Sequence, residues 1–206
     1  MTELTNHILT ELIEIDAIQI KPDRSFTWTS GIKSPIYCDN RLTISYPKIR
    51  NKIIEGFIEE IKTKQLKIDV IAGCATAGIP HAAWLADRLD KPMIYVRGQA
   101  KAHGKGNQIE GVIRPGDHVV VVEDLISTGG SVLSVVKAIE AAGGIVEAVF
   151  AIFSYGLKRT NDVFNQANIP YYTLANFNQL VELLVNKGEI TEAEAKSLID
   201  WCNQLG

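Results

Sequence analysis

From Asp69 onward, short apolar runs take turns with segments of helical period. "DVIAG" gives way to "AGIPHAAWLADRL", and "HVVVVED" to "GGSVLSVVKAIEAAG". "PMIYV" and "IVEAVFAIF" supply two more runs, and "YYTLAN" is a candidate fifth. Strands that alternate with helices must cross over between parallel neighbours. The pattern therefore predicts an α/β fold, with a mostly parallel central sheet and helices on both faces. Four successive valines show no in-out alternation, as expected of a strand buried on both sides. In such sheets a ligand binds beyond the carboxyl ends of the strands, so the loops after residues 73, 97, 124 and 154 are expected to line one site.

The N-terminal third has a different grammar. Leu4, Ile8, Leu12 and Ile15 form the stripe of an amphipathic helix, a pattern unlike a secretion signal. "PDRSFTWTSGIKSPIYCDNRL" reads as short strands and turns. Ser45 and Pro47 signal a second helix, with Ile49, Ile53, Phe57 and Ile61 as its buried stripe. Near the other end, Thr191 and Glu194 have capping-box spacing. With 206 residues, the chain is expected to form a single domain over 1–206, with residues 1–45 as a small appendage. A net charge of −3 argues against a nucleic-acid surface, and no apolar run suits a bilayer. Cys38, Cys74 and Cys202 lack metal-ligand spacing and read as free thiols, so the expected location is the cytoplasm.

The strand "VVVV" runs straight into Glu123 and Asp124, then Leu125, Ile126, Ser127, Thr128, Gly129, Gly130 and Ser131. Adjacent carboxylates repel each other and are costly to bury unless something there wants acceptors, such as sugar hydroxyls or a divalent cation. Hydroxyls and glycines at a helix start provide donors for an anion, because the first N–H groups of a helix are unpaired and carry partial positive charge. One string thus offers acceptors for a sugar and a cradle for its phosphate. It is neither a Walker loop nor a G-x-G-x-x-G turn. A Gly-Gly alone would be an ordinary strand-to-helix connection.

"VVVVEDLISTGGS" resembles the signature of the type I phosphoribosyltransferases. The resemblance implies that Glu123 and Asp124 contact the ribose hydroxyls of phosphoribosyl pyrophosphate (PRPP), and that residues 125–131 grip its 5′-phosphate. "FTWTSGIKSPIYCDNR" resembles the hood of orotate phosphoribosyltransferases, and "RGQAKAHGKGNQIEG" their mobile catalytic loop. The implied reaction joins orotate to PRPP, giving orotidine 5′-monophosphate and pyrophosphate with Mg²⁺ and no dedicated protein metal ligands. Lys101, His103 and Asp124 become the catalytic candidates, and Arg97, Lys101 and His103 the contacts to the leaving pyrophosphate. The family is dimeric, which implies a homodimer whose loop 97–110 is shared across the interface. The residues agree with this role: Arg97, Lys101, His103 and Lys105 put cations in a span without acids, and Gly98, Gly104 and Gly106 supply hinges. "AGCATAGIP" supplies a third loop of small residues, which the resemblance assigns to pyrophosphate.

The chain departs from better-known members at three lysine positions, where it has Thr29, Ala77 and Gly98. Ser127, Lys33 and Tyr37 are the expected orotate contacts, with Arg159 a further candidate for its carboxylate. His81, Trp84, Trp201 and Cys74 read as packing residues, and Trp28 as core or a base-stacking ring. Two other functions remain open at this point: a purine-base enzyme using the same donor, and a PRPP-sensing regulator. The "SGIKSP" segment argues against the first. The charge balance and the presence of Lys101 and His103 argue against the second.

Overall fold

The computed structural model describes residues 2–21, 25–27, 33–98 and 108–205. Helix α1 (Glu3–Glu14) is capped by the Thr2 hydroxyl, which accepts from the Thr5 N–H, and it buries Ile8, Leu9 and Leu12. Two small antiparallel ribbons follow. Strand β1 (Ile18–Ile20) pairs with β4 (Ile36–Cys38), and β2 (Phe26–Thr27) pairs with β3 (Lys33–Ser34). A 3₁₀ helix, Asn40–Ser45, leads to α2 (Pro47–Thr63). Pro47 sits in the first turn of α2, where its missing N–H costs nothing. Ser45 does not start this helix as expected. It closes the 3₁₀ turn, and Tyr46 takes the N-cap position without a side-chain bond. The predicted stripe of Ile49, Ile53, Phe57 and Ile61 is buried.

The alternating part runs β5 (Val70–Cys74), α3 (Gly78–Leu89), β6 (Met93–Val96), β7 (Ile109–Glu110), β8 (His118–Ile126), α4 (Gly130–Ala141), β9 (Ile145–Ser154), α5 (Lys158–Ala167), β10 (Tyr171–Asn176), α6 (Phe177–Asn186) and α7 (Glu192–Gln204). The sheet order is β10-β9-β8-β5-β6-β7. Every neighbouring pair is parallel except β6 with the short edge strand β7. The valine run accounts for both faces. Val119 and Val121 point into a cluster with Val132, Val135 and Phe164, under α4 and α5. Val120 and Val122 point into the other, with Ile53, Phe57 and Leu85 and with residues of α1, α6 and α7. Helices α5 and α6 are additions to the sequence reading. Helix α5 buries only Thr160 and Phe164, too few positions to reveal a period. Helix α6 follows β10 without glycine or proline, marked only by the Asn176–Gln179 capping box.

Strand β8 is longer than expected. Glu123 and Asp124 do not end it: Leu125 and Ile126 stay in register with Phe153 and Ser154 of β9. Its other neighbour stops earlier, since β5 pairs with β8 only as far as Gly73 opposite Val122. From Glu123 onward β8 has a sheet partner on one side only. The start of α3 fills the space beside this point so closely that a Cβ on Gly78 would lie 2.3 Å from the Val122 carbonyl oxygen.

Candidate active site

The chain leaves β5 towards β6 on one side and returns to β8 on the other, so the carboxyl ends of β5 and β8 part. A crevice at this switch of strand order is the expected place for a ligand. A cavity of about 360 Å³ opens there. Ala75, Thr76 and Ala77, just after β5, form one wall. Glu123, Asp124 and Leu125 form the floor, with Ser131 from the first turn of α4. Cys38, Asp39 and Arg41, from the N-terminal segment, close the remaining side. Of the four loops expected to meet, those after residues 73 and 124 line this cavity. The loop after Ser154 lies beneath, where Tyr155 is buried and its N–H donates to the Ile126 carbonyl at 3.3 Å. A hollow of about 430 Å³ between α1–β1 and α6–α7 takes no residue from the sheet.

The acidic pair is half-buried. Burial pushes both carboxyls above their ordinary range, and the hydrogen bond and charge of adjacent Asp124 raise Glu123 further. Glu123 Oε1 accepts from the Asp124 N–H at 3.0 Å. Next along the chain, Gly129 takes a left-handed φ of +81°, which turns the backbone into α4. No side chain caps this helix, and the unpaired amides of such a first turn can bind an anion. Thr128, Gly130 and Ser131 are exposed there. The Ser127 carbonyl is tied down by the Thr160 hydroxyl. Ile126 is only 1% exposed, with its side chain in the core.

The N-terminal segment is fastened to this floor by buried polar groups. Asn40 Nδ2 donates to the Asp124 carbonyl at 2.7 Å, and the Cys38 thiol donates to Asn40 Oδ1 at 3.5 Å. Thr43 Oγ1 donates to the Asn40 carbonyl at 2.6 Å and lies 3.4 Å from His81 Nε2. Beside them Arg41 forks onto Asp39, Nε to Oδ1 at 2.6 Å and Nη2 to Oδ2 at 2.7 Å. The bond from Arg41 holds the Asp39 carboxyl below the usual carboxylate range. The sequence reading passed over Asp39, Asn40 and Arg41. The only signal was three polar residues in a row at a turn.

The other expected site residues are less close. Arg97 pairs with Glu110 at 3.2 Å, donates its N–H to the Gln108 carbonyl and accepts from Gln108 Nε2 at its own carbonyl, away from the cavity lining. Lys33 Nζ donates to Thr27 Oγ1 at 2.8 Å, and the exposed Tyr37 ring rests on Phe26, centroids 5.9 Å apart. Neither belongs to the cavity wall. Lys101, His103, the rest of 99–107, Trp28 and Thr29 lie outside the described residues. His81 is buried against Trp84, and burial lowers its pKa to about 4, so it is neutral. Burial raises the Cys74 thiol, which packs as expected rather than acting as a nucleophile. Among the described residues no group of three or more His, Cys, Asp and Glu side chains could hold a metal. Two carboxylates still suit a Mg²⁺ ion held mainly by the oxygens of a phosphorylated ligand. No helix among the described residues is long and apolar enough to cross a membrane.

Residues 45–169 match the model of the phosphoribosyl transferase domain family. The chain is 53% identical to an orotate phosphoribosyltransferase of Oceanobacillus iheyensis over 202 residues, covering 98% of this chain and 100% of that one. It is 52% identical to an orotate phosphoribosyltransferase of Fusobacterium nucleatum, covering 98% and 97%. Among solved structures, the orotate phosphoribosyltransferase of Aeropyrum pernix superposes with a TM-score of 0.77 at 26% identity, covering 89% and 99%.

Proposed function

The chain belongs to the orotate phosphoribosyltransferase family, and from that premise we propose how its residues share the work. The enzyme transfers the 5-phosphoribosyl group of PRPP to orotate, giving orotidine 5′-monophosphate and pyrophosphate in pyrimidine biosynthesis. The observation that carries the reading of the site is the carboxylate pair at the open edge of β8, followed at once by the uncapped amino end of α4.

Glu123 and Asp124 accept from the ribose 2′- and 3′-hydroxyls. The amides and hydroxyls of Ser127–Ser131 take the 5′-phosphate, with Leu125 and Ile126 adding backbone contacts. This fixes the ribose with C1′ facing the crevice. Orotate N1 attacks C1′ while the C1′–O bond breaks and its electron pair leaves on pyrophosphate. The transition state therefore carries positive charge on the ribose ring and negative charge on the leaving group. Catalysis rests on aligning the reactants and stabilising that separation. Mg²⁺, when bound, would add positive charge at the pyrophosphate oxygens. Lys101, Arg97 and His103 meet the same oxygens, and His103 can give a proton to them. Asp124, beside the reacting carbon, favours the positive ring. Ser127, Lys33 and Tyr37 serve orotate beneath a hood formed by residues 1–45. The enzyme acts as a cytoplasmic homodimer, with loop 97–110 shared between subunits.

The direct test is spectrophotometric. Protein, PRPP, Mg²⁺ and orotate are mixed and orotate absorbance is followed. The absorbance falls if the reading holds, and a steady signal with orotate would contradict it.

A further inference from the structure

The cavity wall carries three carboxylates, Asp39, Glu123 and Asp124, yet the reaction proposed above fills this crevice with anions. Orotate brings a carboxylate, and the donor brings phosphates. Ala77, on the wall, carries no charge to balance them. Of the described residues that line the cavity, one is cationic, and it is Arg41. Lys33 is engaged with Thr27, and Arg97 with Glu110, both off the wall.

The way Arg41 is held leaves it able to bind. A guanidinium has five N–H donors in a rigid plane. Asp39 takes Nε–H and one Nη2–H along a single edge. The second Nη2–H and both Nη1–H groups remain, and the Nη2–H with one Nη1–H forms the end-on fork that suits a carboxylate or phosphate. Asp39 orients the group without using it up. Position is fixed too. Asn40, the adjacent residue, is wholly buried and bonded to the Asp124 carbonyl, so the backbone that carries Arg41 is anchored to the floor of the crevice. Arg41 itself is 63% exposed, accessible to an incoming ligand.

We propose that Arg41 binds an anionic oxygen pair of a substrate in this crevice, with Asp39 as its positioning residue. The inference rests on the orotate phosphoribosyltransferase reading, and the pair comes from either the orotate carboxylate or the donor's pyrophosphate. The test is steady-state kinetics of Arg41→Ala, Arg41→Gln, Arg41→Lys and Asp39→Asn, with each substrate varied separately and inorganic pyrophosphate as inhibitor. Thermal melting confirms that each variant is folded, and Arg41→Gln keeps the three-carbon stem and a polar, uncharged end should alanine disturb the turn. Losing the fork is expected to raise one KM about 10- to 100-fold, the loss typical of a charge-assisted bond. A rise confined to orotate identifies the carboxylate. A rise for PRPP with weakened pyrophosphate inhibition identifies the leaving group. Arg41→Lys recovers part of the loss, since it keeps the charge without the plane. Asp39→Asn shows a smaller rise in the same KM, because only the tether weakens. If both KM values and the pyrophosphate inhibition stay within about twofold of the parent in Arg41→Ala and Arg41→Gln, when tenfold or more is expected, the inference is wrong although the parent still consumes orotate. An inactive parent would instead remove the reading beneath it.

Discussion

The two halves of β8 share a backbone and differ in everything else. Val119–Val122 have partners on both sides and apolar layers on both faces, and each is fully buried. Glu123 and Asp124 have a sheet partner on one side, a cavity on the other and carboxyls that burial makes reluctant to ionise. The first half is built for stability and the second at its expense. The boundary is set by where β5 ends, so a strand opens one edge to a crevice simply by outlasting its neighbour.

The comparison can be broken by exchanging the character of the halves. Val121→Asp places a carboxylate in an apolar cluster. It is expected to cost several kcal/mol, a large share of the ~5–15 kcal/mol that keeps a domain folded, and to abolish the cooperative melt in circular dichroism. Asp124→Ala is expected to do the opposite. It lowers kcat/KM for PRPP about 10- to 100-fold by removing a charge-assisted bond, with the melting temperature unchanged or raised. A valine-like loss of stability at Asp124 would erase the contrast.

Acidity sharpens it further. Burial raises the folded carboxyl of Glu123 above its ordinary value of 4.5. Between its ordinary and its raised value the folded protein keeps a proton that the unfolded chain has released, so this group's contribution to stability falls as pH rises above the ordinary carboxylate range. Glu123→Gln is therefore expected to melt with a weaker pH dependence than the parent between about pH 5 and pH 8, and to gain on it at the upper end. A parent whose melting temperature rises through that interval, with the glutamine variant flat, would show the opposite sign. The smallest effect belongs far from β8. Thr191→Ala removes a cap whose hydroxyl accepts from the Glu194 N–H. It is expected to cost about 1 kcal/mol in urea unfolding and leave orotate turnover untouched.

The elements of the proposed donor site were legible because they form one continuous string. Residues 119–131 contain the strand, the acids, the glycine turn and the helix start in order, and each residue type states its own physical requirement. The sheet was legible for a similar reason, since its valine and isoleucine runs lack alternation. The end of β8 was misplaced by two residues, because acids are poor strand formers and read as a terminus. The wall formed by Asp39 and Arg41 was invisible. Its meaning depends on the bond from Asn40 to Asp124, 84 residues away, and no local pattern encodes that distance. Helix α5 escaped because it buries two side chains.

The central claim is that the donor sits with its diol on Glu123 and Asp124 and its phosphate at the start of α4. A crystal structure of the protein with PRPP and Mg²⁺ tests it most directly. The account predicts ribose hydroxyls within hydrogen-bond reach of both carboxylates and phosphate oxygens against the amides of Thr128–Ser131. Donor bound at another place, with those amides facing only water, would contradict it.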